Sequence, residues 1–257
     1  MTQTFNEFVE LIKKLRAECP WDRVQTFDSL KASTLEEAFE VAESIDLKEY
    51  DELKLELGDL LLHIVLYSTI AEEQNLFTLK DVMLASQEKL IRRHPHVFGN
   101  VDITDPEAVK TNWEKIKMTE GRTSVLDGVP KDYPALARSF RLQEKASKVG
   151  FDWPKIDDVW SKIEEEILEF KEASKENNQE QMEEELGDLL FAIVNYARFL
   201  KINPENALRK TSQKFIRRFQ YIEEKMKENN KDIGKSTLEE MDKYWDEAKE
   251  IEKGKKK

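Results

Sequence analysis

The chain has 257 residues and a formal net charge of −12. That is enough for one large domain or two of about 100–150 residues, and such acidity argues against broad binding to nucleic acid or anionic membrane. Charged residues make up 37%, while Gly and Pro number only 8 and 7, a balance that favours an all-helical fold over a sheet. Cys19 is the single cysteine, so no intrachain disulfide can form. No apolar run reaches 18 residues, and MTQTFNEFVELIKKLRAE reads as an amphipathic helix rather than a signal peptide. The expectation is a soluble, cytoplasmic protein.

The first helix is expected from about Thr4 to Ala17, burying Phe5, Phe8, Val9, Leu11, Ile12 and Leu15. Pro20 breaks it. A second helix is expected over Leu35–Asp46, with Glu36, Glu37, Glu40 and Glu43, and a third over Tyr50–Glu73, with Glu56 and Asp59. Asn75 and the Thr78/Asp81 pair close that helix and start a fourth, which stops at His94-Pro95-His96. A short helix opens at Asp105-Pro106 and runs through Trp113 to Met118. The segment Thr119–Tyr133, with Gly121, Gly128 and Pro130, reads as linker. The division is therefore a first domain over 1–120, a linker over 121–133 and a second domain over 134–257. In the second domain a helix begins at Pro134-Ala135 and ends near GFDWP. Helices over Ile156–Lys175, Gln179–Lys201, Pro204–Glu228 and Thr237–Glu252 follow, and KGKKK is expected as a solvated tail.

The two halves repeat one another. Shifted by 129 residues, Glu36, Glu37 and Glu40 fall on Glu165, Glu166 and Glu169, and Glu56, Gly58 and Asp59 fall on Glu185, Gly187 and Asp188. At slightly different offsets KLIRRHP (Lys89, Arg93) matches KFIRRFQ (Lys214, Arg218), and Trp113 matches Trp245. Residues i and i+3 share a helix face, so in each half two helices offer carboxylate pairs toward one cleft: Glu166, Glu169, Glu185 and Asp188 in the second, and Glu37, Glu40, Glu56 and Asp59 in the first. Four carboxylates so placed repel one another unless they take up protons or a cation. An all-oxygen set selects Mg²⁺, with Mn²⁺ as the substitute, and Mg²⁺ suits phosphate substrates.

Single ExxE motifs are usually solvated helix faces held by i, i+4 pairs; two such pairs on apolar helices, repeated, point to a site. Gly187 costs about 1 kcal/mol inside a helix, and close helix approach is one reason for it. Glu-x-x-Asp replaces the Glu-x-x-His that a ferritin-like di-iron bundle needs, His63, His94 and His96 lack ligand spacing to the carboxylates, and no P-loop, GxGxxG or nucleophile elbow is present. Lys162 and Asn195 correspond to Ser33 and Leu66. Asn195, seven residues after Asp188, shares its face and offers hydrogen bonds that Leu66 lacks, so the second half is expected to be the better-equipped site and the first weaker, regulatory or selective for other ligands.

Together CPWDRVQTF, TLEEAFE, ELGDLL, RRHPHVFG, NWEKIK, VGFDW and the second EEEILE/ELGDLLF resemble the two-domain MazG nucleoside triphosphate pyrophosphohydrolases over nearly the whole chain. The resemblance implies tandem all-α helical bundles and a homodimer whose subunits complete them. It implies Mg²⁺-dependent cleavage of an NTP or dNTP to the monophosphate and pyrophosphate, a nucleotide-pool housecleaning role, and activity in the C-terminal domain. It places Mg²⁺ on Glu166, Glu169, Glu185 and Asp188, phosphates on Lys214 and Arg218, Trp245 near the nucleotide, and Lys162 at the triphosphate. Glu166 or Glu169 would take the proton of the attacking water. The alternative is a helical interaction or regulatory module without turnover; a mixed form has a binding first half and a catalytic second.

Overall fold

The computed structural model describes residues 1–121 and 123–254, with nothing stated for the side chains of Glu107 and Lys110. Lys255–Lys257, most of the expected solvated tail, lie outside the described residues. Among those described, the chain is helix, turn and loop with no strand, which is the all-α class. It divides into two compact units, Met1–Ile116 and Lys117–Lys257.

The first unit opens with α1 (Thr2–Glu18), a 3-10 turn (Asp22–Val24), α2 (Phe27–Leu47) and α3 (Tyr50–Glu73). α2 starts eight residues before the position expected from the sequence. The reason is a reciprocal cap: Ser29 N–H donates to Thr26 Oγ1 at 3.1 Å and Thr26 N–H to Ser29 Oγ at 2.9 Å, a local signal that starts the helix well before the acidic face begins. α2 and α3 pack as a hairpin across Lys48, held in the left-handed region at φ +62. Ile12, Leu30, Val65, Leu66 and Ile70 form the buried cluster, with Phe8, Val9 and Phe27 against it. Leu11 and Leu15, expected in the core, are exposed, because they sit on the flank of the arc centred on Phe8, Val9 and Ile12. α4 (Leu79–Arg93) begins at a Thr78/Asp81 capping box. Pro95 ends α4 but opens one further turn, α5 (Pro95–Phe98), before α6 (Pro106–Thr119); a proline at the first helical position loses no hydrogen bond.

The second unit contains α7 (Ala135–Ser147), α8 (Ile156–Glu176), α9 (Gln179–Phe199), α10 (Pro204–Glu228), a 3-10 turn (Ile233–Lys235) and α11 (Leu238–Gly254). α8 and α9 form the second hairpin, turning through Asn177 at φ +55, the position that matches Lys48. Asn tolerates this conformation better than Lys. α7 lies on α9, and α10 packs on α7 and α11. The stretch read as linker is part of this unit: Lys145 Nζ donates to the carbonyl of Val125 at 3.1 Å.

Candidate metal centre and its cavity

In the second unit Glu166 comes from α8 and Glu185 and Asp188 from α9, and one carboxylate oxygen from each lies within 4.8 Å of the others. The hairpin makes this meeting possible. Asn178 caps α9 by accepting from Gln181 N–H at 3.3 Å, and Val159, Ile163, Ala192 and Val194 are buried on α8 and α9 beyond the acidic end. Glu166 is only 4% exposed. Its Oε1 receives Lys162 Nζ at 2.7 Å, and the same ammonium reaches Glu165 at 2.7 Å. These hydrogen bonds, to Glu165 first and Glu166 next, hold the Lys162 pKa above its ordinary value. Glu166 Oε2 is buried with no hydrogen-bond partner. A buried carboxylate oxygen without a donor is costly unless a cation fills the gap. This orphaned oxygen, with two further carboxylates at ligand range and no nitrogen or sulfur donor in the set, fits a hard divalent cation.

Glu169 stands one turn beyond Glu166 and outside the group of three. Its pKa is raised, first by desolvation and then by the charges of Glu166 and Glu185, so it belongs to the same electrostatic group. The first unit repeats the pattern. Glu37, Glu56 and Asp59 lie within 4.8 Å, with Glu40 beside them. Desolvation, followed by Asp59 and Glu40, raises Glu37; desolvation, followed by Glu40 and Asp59, raises Glu56.

Next to the second carboxylate group is a cavity of about 730 Å³, within the range of pockets that take small molecules. Lys162, Glu166 and Asp188 line one part of its wall; Asn195, Arg198 and Gln143 add polar groups, and Leu142, Phe151, Trp153 and Phe191 make apolar surface. Asn195 Oδ1 accepts from Arg198 Nε at 3.0 Å, which leaves the Nδ2 donors on the other side of the amide. Arg198 is held in turn by Asp152, with Nη1 to Oδ2 at 3.0 Å and a second contact from Nη2.

Of the residues singled out from the sequence, the structure therefore brings Lys162 and Asn195 together with Glu166 and Asp188. Arg218 of α10 meets Trp245 of α11, and neither they nor Lys214 of α10 is among the residues that line the cavity. Arg218 donates to Glu252 Oε2 from Nε at 2.9 Å and Nη2 at 2.6 Å, and lies 5.3 Å from the Trp245 ring centre, against which Phe215 also packs. Gly187 is not at a close helix approach: a Cβ there would meet nothing within 4 Å, and Gly58 is the same. Sequence reasoning missed Gln143, Asp152 and Arg198. VGFDW held a signal for Asp152, and the i, i+3 spacing to Asn195 held one for Arg198; nothing in the pattern of α7 marks Gln143.

The MazG nucleotide pyrophosphohydrolase domain family matches residues 25–98 and 157–222, the stretches that carry the two hairpins. The chain is 45% identical over 250 residues to a nucleoside triphosphate pyrophosphohydrolase/pyrophosphatase MazG of Thermotoga maritima, covering 95% of both chains. It is 40% identical over 242 residues to a nucleoside triphosphate pyrophosphohydrolase of Escherichia coli, covering 91% of both. With an uncharacterized Bacillus subtilis protein, YabN, it shares 48% identity over 258 residues, 97% of this chain and 52% of the relative.

Proposed function

The chain belongs to the MazG nucleotide pyrophosphohydrolase family, and from that premise we propose that its second unit hydrolyses nucleoside triphosphates, ribo and deoxy, to the monophosphate and pyrophosphate in a Mg²⁺-dependent reaction. The observation that carries this reading is the orphaned, buried Oε2 of Glu166 beside Glu185, Asp188 and the cavity. Glu166, Glu185 and Asp188 hold the cation, with Glu169 completing the set; Mn²⁺ substitutes. When bound, Mg²⁺ supplies charge to offset the triphosphate and to acidify a water.

The residues of the chain do the rest. Lys162 fixes Glu166 and adds positive charge where the triphosphate enters. Glu166 or Glu169 takes the proton of the attacking water. A new oxygen–phosphorus bond forms at the α-phosphorus as its bond to the bridging oxygen breaks, and pyrophosphate leaves. Asn195 hydrogen-bonds the nucleotide. Lys214 and Arg218 neutralise the leaving pyrophosphate and Trp245 stacks near the nucleotide, once a second subunit completes the bundle.

A homodimer is part of the proposal. Leu186, Leu190 and Ile193 form an i, i+4, i+7 stripe on α9 and are 43%, 45% and 44% exposed. Leu57, Leu61 and Ile64 repeat it on α3. A glycine open to space stands beside each stripe, and apolar stripes of this kind mark partner surfaces. The proposed setting is housecleaning of the cytoplasmic nucleotide pool. Among the described residues no helix is long and apolar enough to cross a membrane.

The test is product analysis with Mg²⁺ and a panel of NTPs and dNTPs. Monophosphate with pyrophosphate, abolished by EDTA and in Glu185→Ala, supports the reading. Diphosphate with phosphate rejects cleavage between the α- and β-phosphates. No turnover leaves a binding module.

A further inference from the structure

Gln143 sits on α7 and is 8% exposed. Its Nε2 donates to the carbonyl of Phe191 at 2.8 Å. That carbonyl can only accept, so the amide orientation is determined and Oε1 is the free end. Oε1 is buried and has no hydrogen-bond partner. It is a lone acceptor in a wall that also holds Leu142, Ala146, Phe151 and Phe191, and such a group favours any ligand that brings it a donor.

Its place along the cavity matters. α9 rises about 1.5 Å per residue, so Phe191, three residues on, lies about 4.5 Å along the helix beyond Asp188. With the phosphates at the carboxylates, the nucleoside extends toward Gln143 and the aromatic side chains. Flat apolar walls suit a base better than a sugar. Oε1 is shut off from water as the wall stands, and the side chains over it must shift for a base to reach it.

We propose that Gln143 is a specificity-determining residue whose Oε1 accepts an N–H from the pairing edge of the substrate base. This rests on the reading of the second unit as a nucleotide site. Adenine, cytosine, guanine and uracil each carry at least one such N–H, so one fixed acceptor admits all of them while rejecting a base that has none. The residue reads the presence of a donor rather than the identity of the base.

The experiment measures kcat and KM for pyrophosphate release from ATP, 2′-deoxy-ATP, 3′-deoxy-ATP and purine riboside triphosphate, which lacks the amino group. The wild-type enzyme is expected to favour ATP over purine riboside triphosphate by about tenfold to a hundredfold in kcat/KM. Gln143→Met, close in shape and without the acceptor, is expected to reduce that ratio to about twofold or less, with the deoxy analogues behaving like ATP in both proteins. The wild-type comparison needs no variant to fold. A wild-type ratio near one, or a Gln143→Met enzyme that keeps the preference, overturns the proposal. A penalty that follows the 2′- or 3′-hydroxyl assigns Oε1 to the sugar and also overturns it. If no nucleotide turns over, the hydrolase reading fails, and calorimetric binding of ATP and purine riboside triphosphate with Mg²⁺ decides on Gln143 by the same ratio.

Discussion

The two hairpins present the same three carboxylates but differ directly beneath them. In the second unit Ala192 and Asn195 line a cavity; in the first, the matching positions are His63 and Leu66, 7% and 1% exposed. His63 Nδ1 and Tyr67 Oη are each bonded to Thr34 Oγ1, at 2.7 and 2.8 Å, and Thr34 Oγ1 donates to the carbonyl of Leu30 at 2.9 Å. Burial lowers the pKa of His63. The second unit has Ile163 in place of Thr34, so this network has no counterpart. Lys162, which ties down Glu166, corresponds to Ser33, which carries no charge. On the proposed reading of the second unit, the difference teaches that an acidic hairpin is only half of a nucleotide site. The other half is space beneath the carboxylates and a cation beside them, and the first unit has filled the space with a packed, hydrogen-bonded core.

The sharpest way to break this contrast is to remove a ligand from each side. Glu185→Ala should lower kcat for pyrophosphate release by about 10³ or more, at the upper end of what one transition-state contact supplies, whereas Glu56→Ala should leave it within about twofold. If Glu56→Ala proved the inactive enzyme, the assignment of the active unit would be reversed. A second test measures packing. Leu66→Ala should cost about 3 kcal/mol in urea unfolding, because Leu66 is fully buried; Asn195→Ala, at the cavity wall, should cost under about 1 kcal/mol. Equal losses would mean that the cavity of the second unit is as tightly filled as the first.

A smaller effect should follow from Lys162→Ala. It releases Glu166 and removes one charge from the triphosphate, so kcat/KM should fall about tenfold, the scale of one charge-assisted hydrogen bond. Ser33→Ala should change nothing measurable in the same assay. The smallest effect is in pH dependence. Glu37, Glu56 and Glu169 have raised pKa values, so the folded protein holds these protons more tightly than the unfolded chain does. Their contribution to stability is present below the ordinary carboxylate pKa of about 4.3 and is lost as pH rises through the raised values. Glu73, Asp81 and Glu240 are lowered and act in the opposite sense on the acid side, so the comparison is made with and without Mg²⁺. A bound cation replaces the protons, and the gain in Tm from Mg²⁺ should grow by a few degrees from about pH 4.5 to about pH 7. A gain that shrank with pH would mean that Mg²⁺ acts away from the carboxylates.

The sequence by itself determined the helical class, the tandem repeat and the two acidic hairpins. Each depends on local spacing: i, i+3 carboxylates, an apolar period near 3.6 and caps such as Thr78/Asp81 write themselves into consecutive residues. It also marked Lys162 and Asn195, because the repeat supplied Ser33 and Leu66 as a built-in comparison. Only the tertiary structure decided that Glu166 is buried with one oxygen unpaired, that Arg198 is anchored by Asp152 46 residues away, and that Gln143 meets Phe191 across 48 residues. It also kept Lys214, Arg218 and Trp245 out of the cavity lining and left the surroundings of Gly58 and Gly187 open. Burial and cavities arise from packing between helices distant in the chain, and the one-dimensional period of a helix gives its face but not what that face meets.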